Sequence, residues 1–207
     1  MVVQQKPHVL KAEELLAWPY SCPDIRIWTG REYIWLDIPR HDELSELALL
    51  QEREIGKTAT AETCEAVFAH NPDSFRVFRA GESKDHTSTV RGFSSSLFLN
   101  DKGLSALQSG TFDGRNPDLS HLAPPLIRPA ATYAWALVAR GFGTCAVTHT
   151  ALSYRQEIYK GVPVWCTAGS QAGARLINSE GLESAHNGNG VGGVFKSNSP
   201  LRSMVRS

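Results

Sequence analysis

Two glycine-bearing turns hold the residues of this chain best suited to chemistry. The first, Arg140-Gly141-Phe142-Gly143-Thr144, follows the apolar run Thr132–Ala139 and precedes a helix-like stretch, Thr144–Tyr159. A turn at a helix start presents unpaired backbone N–H groups and a partial positive charge, and glycine lets a phosphate approach the backbone closely. The same pattern also fits an ordinary strand-to-helix turn. The second, Ala168-Gly169-Ser170-Gln171-Ala172, lies between the strand-like run Val162–Thr167 and a helical pattern over Gln171–Glu180 closed by Gly181. It imitates a nucleophile elbow, which would need an acid and a histidine on separate downstream loops. No Asp follows Asp118, and Glu180, Glu183 and His186 all fall within 16 residues of the serine. Ser170 therefore reads as a helix cap.

Other candidate signals are weaker. Gly188-Asn-Gly190-Val-Gly-Gly193 satisfies the dinucleotide spacing, but Val194–Pro200 after it is a poor helix former, so a loop is expected. Cys145 and His149 stand at helical i, i+4 spacing, where an imidazole could activate a thiolate, although a small core thiol is the simpler reading. The 7 histidines form no H-E-x-x-H or comparable cluster, so no metal site is expected. The 4 cysteines (Cys22, Cys64, Cys145 and Cys166) stand far apart, which points to buried thiols in a reducing, cytoplasmic setting.

Composition bounds the partners. Lys+Arg and Asp+Glu balance at 21 each, which argues against a generally basic nucleic-acid wrapper. Hydrophobic residues make up 42% of the chain and charged residues 20%, enough for a packed core. No uncharged apolar run approaches the ~20 residues of a membrane span, so no membrane partner is expected.

The elements that must position these turns follow from periodicity. Ile25–Trp28 and Tyr33–Ile38 read as strands around Thr29-Gly30-Arg31-Glu32. His41–Ile55 and Ala61–His70 read as helices, the second capped by Thr60. Phe75–Ala80 and Val90–Asn100 predict an antiparallel hairpin with a long loop. A short helix over Lys102–Ser109 opens an irregular stretch, 101–129, of the length seen in lids and binding loops. Thr132–Ala139 suits a buried strand, and a helix from Pro129 fits the pattern nearly as well. The order predicts a mixed α/β (α+β) domain. Core packing is the default role for Trp28, Trp35, Trp135 and Trp165.

That order, with Arg140-Gly-Phe-Gly143 after an apolar strand and Ser170-Gln-Ala-Gly-Ala-Arg-Leu-Ile-Asn-Ser-Glu-Gly-Leu182 after the next, resembles the GNAT superfamily of acyl-CoA-dependent N-acyltransferases. Ala174, Leu176 and Gly181 sit at or close to the places of the family's helix pattern. The resemblance covers about residues 31–185, leaving 1–30 as an N-terminal extension and 186–207 as a flexible basic tail. It implies a central, mostly antiparallel sheet flanked by helices, and a cleft between two splayed strands. It also implies acetyl-CoA or another acyl-CoA as cofactor, held by Arg140, Gly141, Phe142, Gly143, Thr144 and Ser170, and a small-molecule or protein amine as acceptor, with residues 101–129 lining the acceptor side.

Departures from the family pattern are specific. Where many members carry a helix tyrosine that protonates the departing thiolate, this chain has Ile177, and the strand 132–139 offers no carboxylate as base. The groups eligible to move a proton are Glu32, Asp113, His121 and His149, and none is assigned a catalytic role. A non-catalytic, GNAT-like binding or regulatory protein is the alternative reading. The family usually ends in a two-strand hairpin. Glycines at 188, 190, 192 and 193 predict that hairpin to be shortened or absent, with only Gly192–Lys196 able to pair. The bare edge would then be covered by a homodimer or by Ile25–Trp28.

Overall fold

Alternating apolar side chains over 75–80 and 90–99 build the centre of one sheet. The computed structural model describes residues 26–56, 58–82, 88–125, 127–139, 161–179, 181–186 and 192–197. Their strands are β1 (Arg26–Trp28), β2 (Tyr33–Asp37), β3 (Phe75–Gly81), β4 (Thr89–Leu99), β5 (Ala131–Ala139), β6 (Val164–Thr167), β7 (Glu183–His186) and β8 (Val194–Lys196). They form a sheet in the order β1-β2-β3-β4-β5-β6-β8-β7, antiparallel throughout except for the parallel β5/β6 pair. Among the described residues four helices accompany it: α1 (Leu44–Ile55), α2 (Ala61–His70), α3 (Asp101–Ser109) and α4 (Gln171–Ser179). No helix among the described residues is long and apolar enough to cross a membrane.

The two sheet faces are filled differently. Helices α1, α2 and α3 bring Leu44, Leu47, Cys64, Val67 and Leu107 onto one face, against Phe75, Val77, Phe93, Leu97, Tyr133 and Trp165. On the opposite face, α4 lays Ala174 and Ile177 over Cys166, Ala168 and Phe195. Both ends of the long 101–130 connection are pinned to the sheet. Asn100 caps α3 by accepting from the Gly103 N–H at 3.0 Å, and its amide donates to the carbonyls of Ser120 and Leu122. A Cβ at Gly103 would stand 2.3 Å from the His121 carbonyl oxygen, so only glycine lets α3 lie this close to the 119–121 turn.

The region after Pro129 is a strand. Among the described residues the irregular stretch before it carries helix α3 and a 3-10 turn, Leu119–His121. The last hairpin is shortened, to four and three residues, but it is present, and both of its strands pair. The glycines fall in the connection, where they do not weaken the ladder. Because β8 inserts between β6 and β7, residues 194–196 belong to the sheet. At the other edge, Arg26–Trp28 pairs with β2. The N-terminal run therefore extends the edge opposite the hairpin and fills no gap beside it. Trp28 is 54% exposed on this edge strand, unlike the buried Trp35 and Trp165, and its ring lies against Tyr33 with centroids 4.8 Å apart.

One charge cluster fastens the helical layer to the sheet. Arg79 of β3 donates from both terminal nitrogens to Glu43, at 2.8 and 2.7 Å, and from Nε to Asp37 at 2.9 Å. Glu43 ends the 3-10 turn that opens α1, and its carboxylate also accepts from the Arg40 backbone N–H at 2.7 Å. Burial alone would raise the Glu43 carboxyl; the Arg79 hydrogen bonds, the Arg40 backbone bond and both guanidinium charges outweigh it and hold the group below its ordinary 4.5. A carboxyl that titrates lower folded than unfolded contributes in full above the unfolded value and loses that contribution as pH falls through the folded value. Glu43→Gln is expected to destabilise the protein by about 3 kcal/mol at pH 7, the lower end for a broken buried pair. The gap to wild type should be full above about pH 4.5 and narrow as pH falls below it, in urea titrations of the two proteins. A gap unchanged with pH would contradict this assignment.

Candidate functional site

The site begins with an extra residue in β5. Along the β4/β5 ladder Ser95 opposes Ala136 and Ser96 opposes Ala134, so Trp135 is a bulge. A bulge shifts the alternation by one, bends the strand and increases its twist. Accordingly Ala131 and Tyr133 before it, and Ala136 and Val138 after it, all point into the same core. On its other side β5 pairs with β6 over only three rungs, Thr132–Val164, Tyr133–Trp165 and Ala134–Cys166. Beyond Ala134 the described residues give β5 no partner there, although it runs on to Ala139. Among the described residues the parallel pairing ends at the bulge, a fork with Trp135–Ala139 on one arm and Thr167–Ser170 on the other.

Aromatic rings and hydroxyls surround its apex. Tyr133 donates its phenolic O–H to Thr167 Oγ1 at 2.8 Å, bridging the strands where they part. Trp135 packs edge-on against Phe75, with centroids 5.7 Å apart, and its indole N–H donates to the Gly114 carbonyl. Phe112 packs edge-on against Tyr133 at 5.4 Å. Burial pushes the Tyr133 phenol above its ordinary 10.0; the Thr167 bond works against that, and the charges of Cys166 and Asp113 add to the rise. The phenol is therefore a neutral donor near pH 7.

The loop after β6 completes the rim. Ser170 is the expected cap, its Oγ accepting from the Gly173 N–H at 3.1 Å at the start of α4. A Cβ on Gly169 would lie 2.5 Å from Ile55 Cγ2, so the end of α1 reaches this arm of the fork only because residue 169 has no side chain. Ile177 lies part-buried in the apolar cluster under α4.

The other sequence candidates separate. Arg140, Gly141, Phe142, Gly143, Thr144, Cys145 and His149 lie outside the described residues. Glu32 accepts from Arg91 at 3.0 and 3.2 Å in the β1–β2 turn. Asp113 accepts from the Arg115 and Asn116 N–H groups, and its charge reaches Tyr133. His121 stacks loosely on Phe112 at 6.4 Å. Cys64 and Cys166 are free and buried, and burial pushes their thiols up to about 11 and about 12, so neither supplies a thiolate near neutral pH. No group of three metal-ligating side chains occurs among the described residues.

Sequence reasoning missed Tyr133, Trp135 and Thr167. The only available signal was a pair of polar-tipped residues in otherwise apolar strands. Pairing across a parallel ladder is what makes Tyr133 and Thr167 neighbours.

A mostly antiparallel sheet flanked by helices, with one parallel pair between β5 and β6, is the architecture the GNAT resemblance implies, and the last hairpin is shorter than that family's usual one. No protein-family model and no curated protein matches the sequence. Among solved structures the chain is similar to the loading GNATL domain of CurA from Lyngbya majuscula, at 16% identity and a TM-score of 0.43, over 66% of this chain and 65% of that one. The chain thus spans just under two thirds of that domain.

The rim contact is testable. Gly169→Ala should cost about 1–3 kcal/mol by overpacking against Ile55. In an Ile55→Ala background the same change should cost well under half as much, a coupling readable from a double-mutant cycle of denaturation midpoints. Additive costs would place the two residues apart.

Proposed function

We propose that this chain is an acyl-CoA-dependent N-acyltransferase that moves an acyl group to an amine. The observation that carries the reading is the parting of β5 and β6 at the Trp135 bulge. Beyond Ala134 one edge of β5 faces the fork without a ladder partner among the described residues. Unpaired backbone groups in a sheet interior need partners, and an amide-bearing thioester arm lying between the strands has the donors and acceptors to supply them. This is the fit the structure offers to acyl-CoA: β5 beyond Ala134 on one side, Thr167–Ser170 on the other. The turn Arg140–Thr144, directly after β5, would hold the pyrophosphate.

Bound acyl-CoA would supply an activated acyl carbon and a sulfur leaving group. A neutral amine attacks that carbon; the C–N bond forms as the C–S bond breaks, the nitrogen gives up one proton and the sulfur takes one. Proximity in a closed cleft supplies much of the acceleration. In place of a tyrosine on α4, the Tyr133–Thr167 hydroxyl pair offers a neutral proton donor at the apex. A second reading, a non-catalytic binding protein on the same scaffold, draws on the apolar Ile177 and the absence of a carboxylate from β5.

Calorimetric titration with acetyl-CoA and longer acyl-CoAs, followed by thiol release across a panel of amines, tests the proposal. Binding with turnover is expected. Absence of heat and of thermal shift at millimolar acyl-CoA would overturn the cofactor assignment, and binding without release for any amine would favour the second reading. Tyr133→Phe should keep acyl-CoA affinity within about twofold and lower the rate of thiol release by about 10²-fold, the low end for general acid catalysis.

A further inference from the structure

Two hydroxyls meet where the β5/β6 pairing ends, and they are not equally placed. Tyr133 is 8% exposed. The Phe112 ring lies edge-on to it at 5.4 Å, and a Cβ on Gly114 would stand 3.1 Å from the phenol oxygen. The one phenolic hydrogen goes to Thr167 Oγ1 at 2.8 Å, so Tyr133 has none to offer a substrate. Thr167, by contrast, is exposed. Ala168 turns its backbone toward the last hairpin, donating to the Gly193 carbonyl at 3.2 Å and accepting from the Gly192 N–H at 2.8 Å. Backbone direction alternates along a strand, so Thr167, one residue earlier, turns its own toward β5. It is also the first residue of β6 beyond the last rung, Ala134–Cys166, level with the Trp135 bulge.

What Thr167 can offer follows from counting. A hydroxyl has one hydrogen and two lone pairs. Tyr133 takes up one lone pair, and that is the only hydrogen bond of this hydroxyl among the described residues. One lone pair and the hydrogen remain. Burial keeps the phenol protonated near pH 7, so Tyr133 stays the donor of the pair.

We infer that Thr167 is the catalytic hydroxyl of this site, a proton shuttle, and that Tyr133 is a positioning residue behind it. The inference rests on the acyltransferase reading. Thr167 Oγ1 takes the proton that the amine loses as its nitrogen bonds the acyl carbon, and gives its own hydrogen to the sulfur as the C–S bond breaks. Thr167 ends as a hydroxyl, and no side chain changes charge. A shuttle of this kind needs neither a tyrosine where α4 carries Ile177 nor a carboxylate on β5. The Tyr133 bond fixes which way the remaining hydrogen and lone pair point.

The test is thiol release by the full chain from acetyl-CoA across the amine panel, with acetyl-CoA affinity read by calorimetry. Thr167→Val, nearly isosteric but without the hydroxyl, should lower kcat by about 10²-fold or more and leave acetyl-CoA affinity within about twofold. Thr167→Ser keeps the hydroxyl and should stay within about threefold of wild type. Thr167→Val strands the Tyr133 O–H, so a double variant with Tyr133→Phe, in which both partners are apolar, is the folding control. It should be no slower than Thr167→Val alone, because a residue that acts through another adds nothing once the other is gone. Wild-type kcat in Thr167→Val, equal losses in Thr167→Val and Thr167→Ser, or losses that multiply in the double variant would each overturn the shuttle and leave the transferase in place. No thiol release by wild type with any amine would remove the transferase, and the shuttle with it.

Discussion

A single added residue in β5 governs the architecture around the candidate site. Trp135 has no partner on β4, so the strand bends there, and three rungs of parallel pairing with β6 end at the same level. A regular β5 would keep its alternation, turning Ala136 and Val138 out of the core they now fill. The bulge is held from outside the strand, by Phe75 against the indole ring and by the Gly114 carbonyl on the indole N–H. The long 101–130 connection thereby acquires a structural task. Through Gly114 and Phe112 it fixes the strand that forms one arm of the fork.

Around that opening the chain sets rigid, neutral groups and keeps its strong charges elsewhere. The Arg79–Glu43–Asp37 cluster binds the start of α1 to β3, and Arg76 pairs with Asp73 on the other face while donating to the Pro72 and Phe75 carbonyls. Both arginines are nearly inaccessible, so each needs its carboxylate to remain charged inside the protein. Where the β5/β6 pairing ends, the polar groups among the described residues include the Tyr133 phenol and the Thr167 hydroxyl.

Much of this was legible from pattern. Thr60, Asn100 and Ser170 are polar residues directly before helical periodicity, and Thr60 and Ser170 were readable as caps on that ground; all three accept the expected backbone bonds. The hairpin of β3 and β4 follows from alternation on both sides of a polar loop. The final hairpin misled because glycine density was taken to weaken strands. The glycines instead cluster in its connection, and Glu183–His186, with only Ala185 apolar, pairs through backbone atoms that side-chain pattern does not report.

The sequence by itself determined most of the helices and strands among the described residues, their order, two of the caps and the mixed α/β class, because these depend on local periodicity and on residues adjacent along the chain. Tertiary structure decided what faces what. Alternation would send Arg76 to solvent, opposite Phe75 and Val77; the fold buries it because Asp73, three residues earlier, is held where it can answer the charge. Tyr133 and Thr167 lie 34 residues apart and meet only through the parallel register. Lys196 stands between Trp165 and Glu183 only because β8 inserts between β6 and β7. Long-range pairing is selected by the packing of whole faces, and no window of sequence contains both partners.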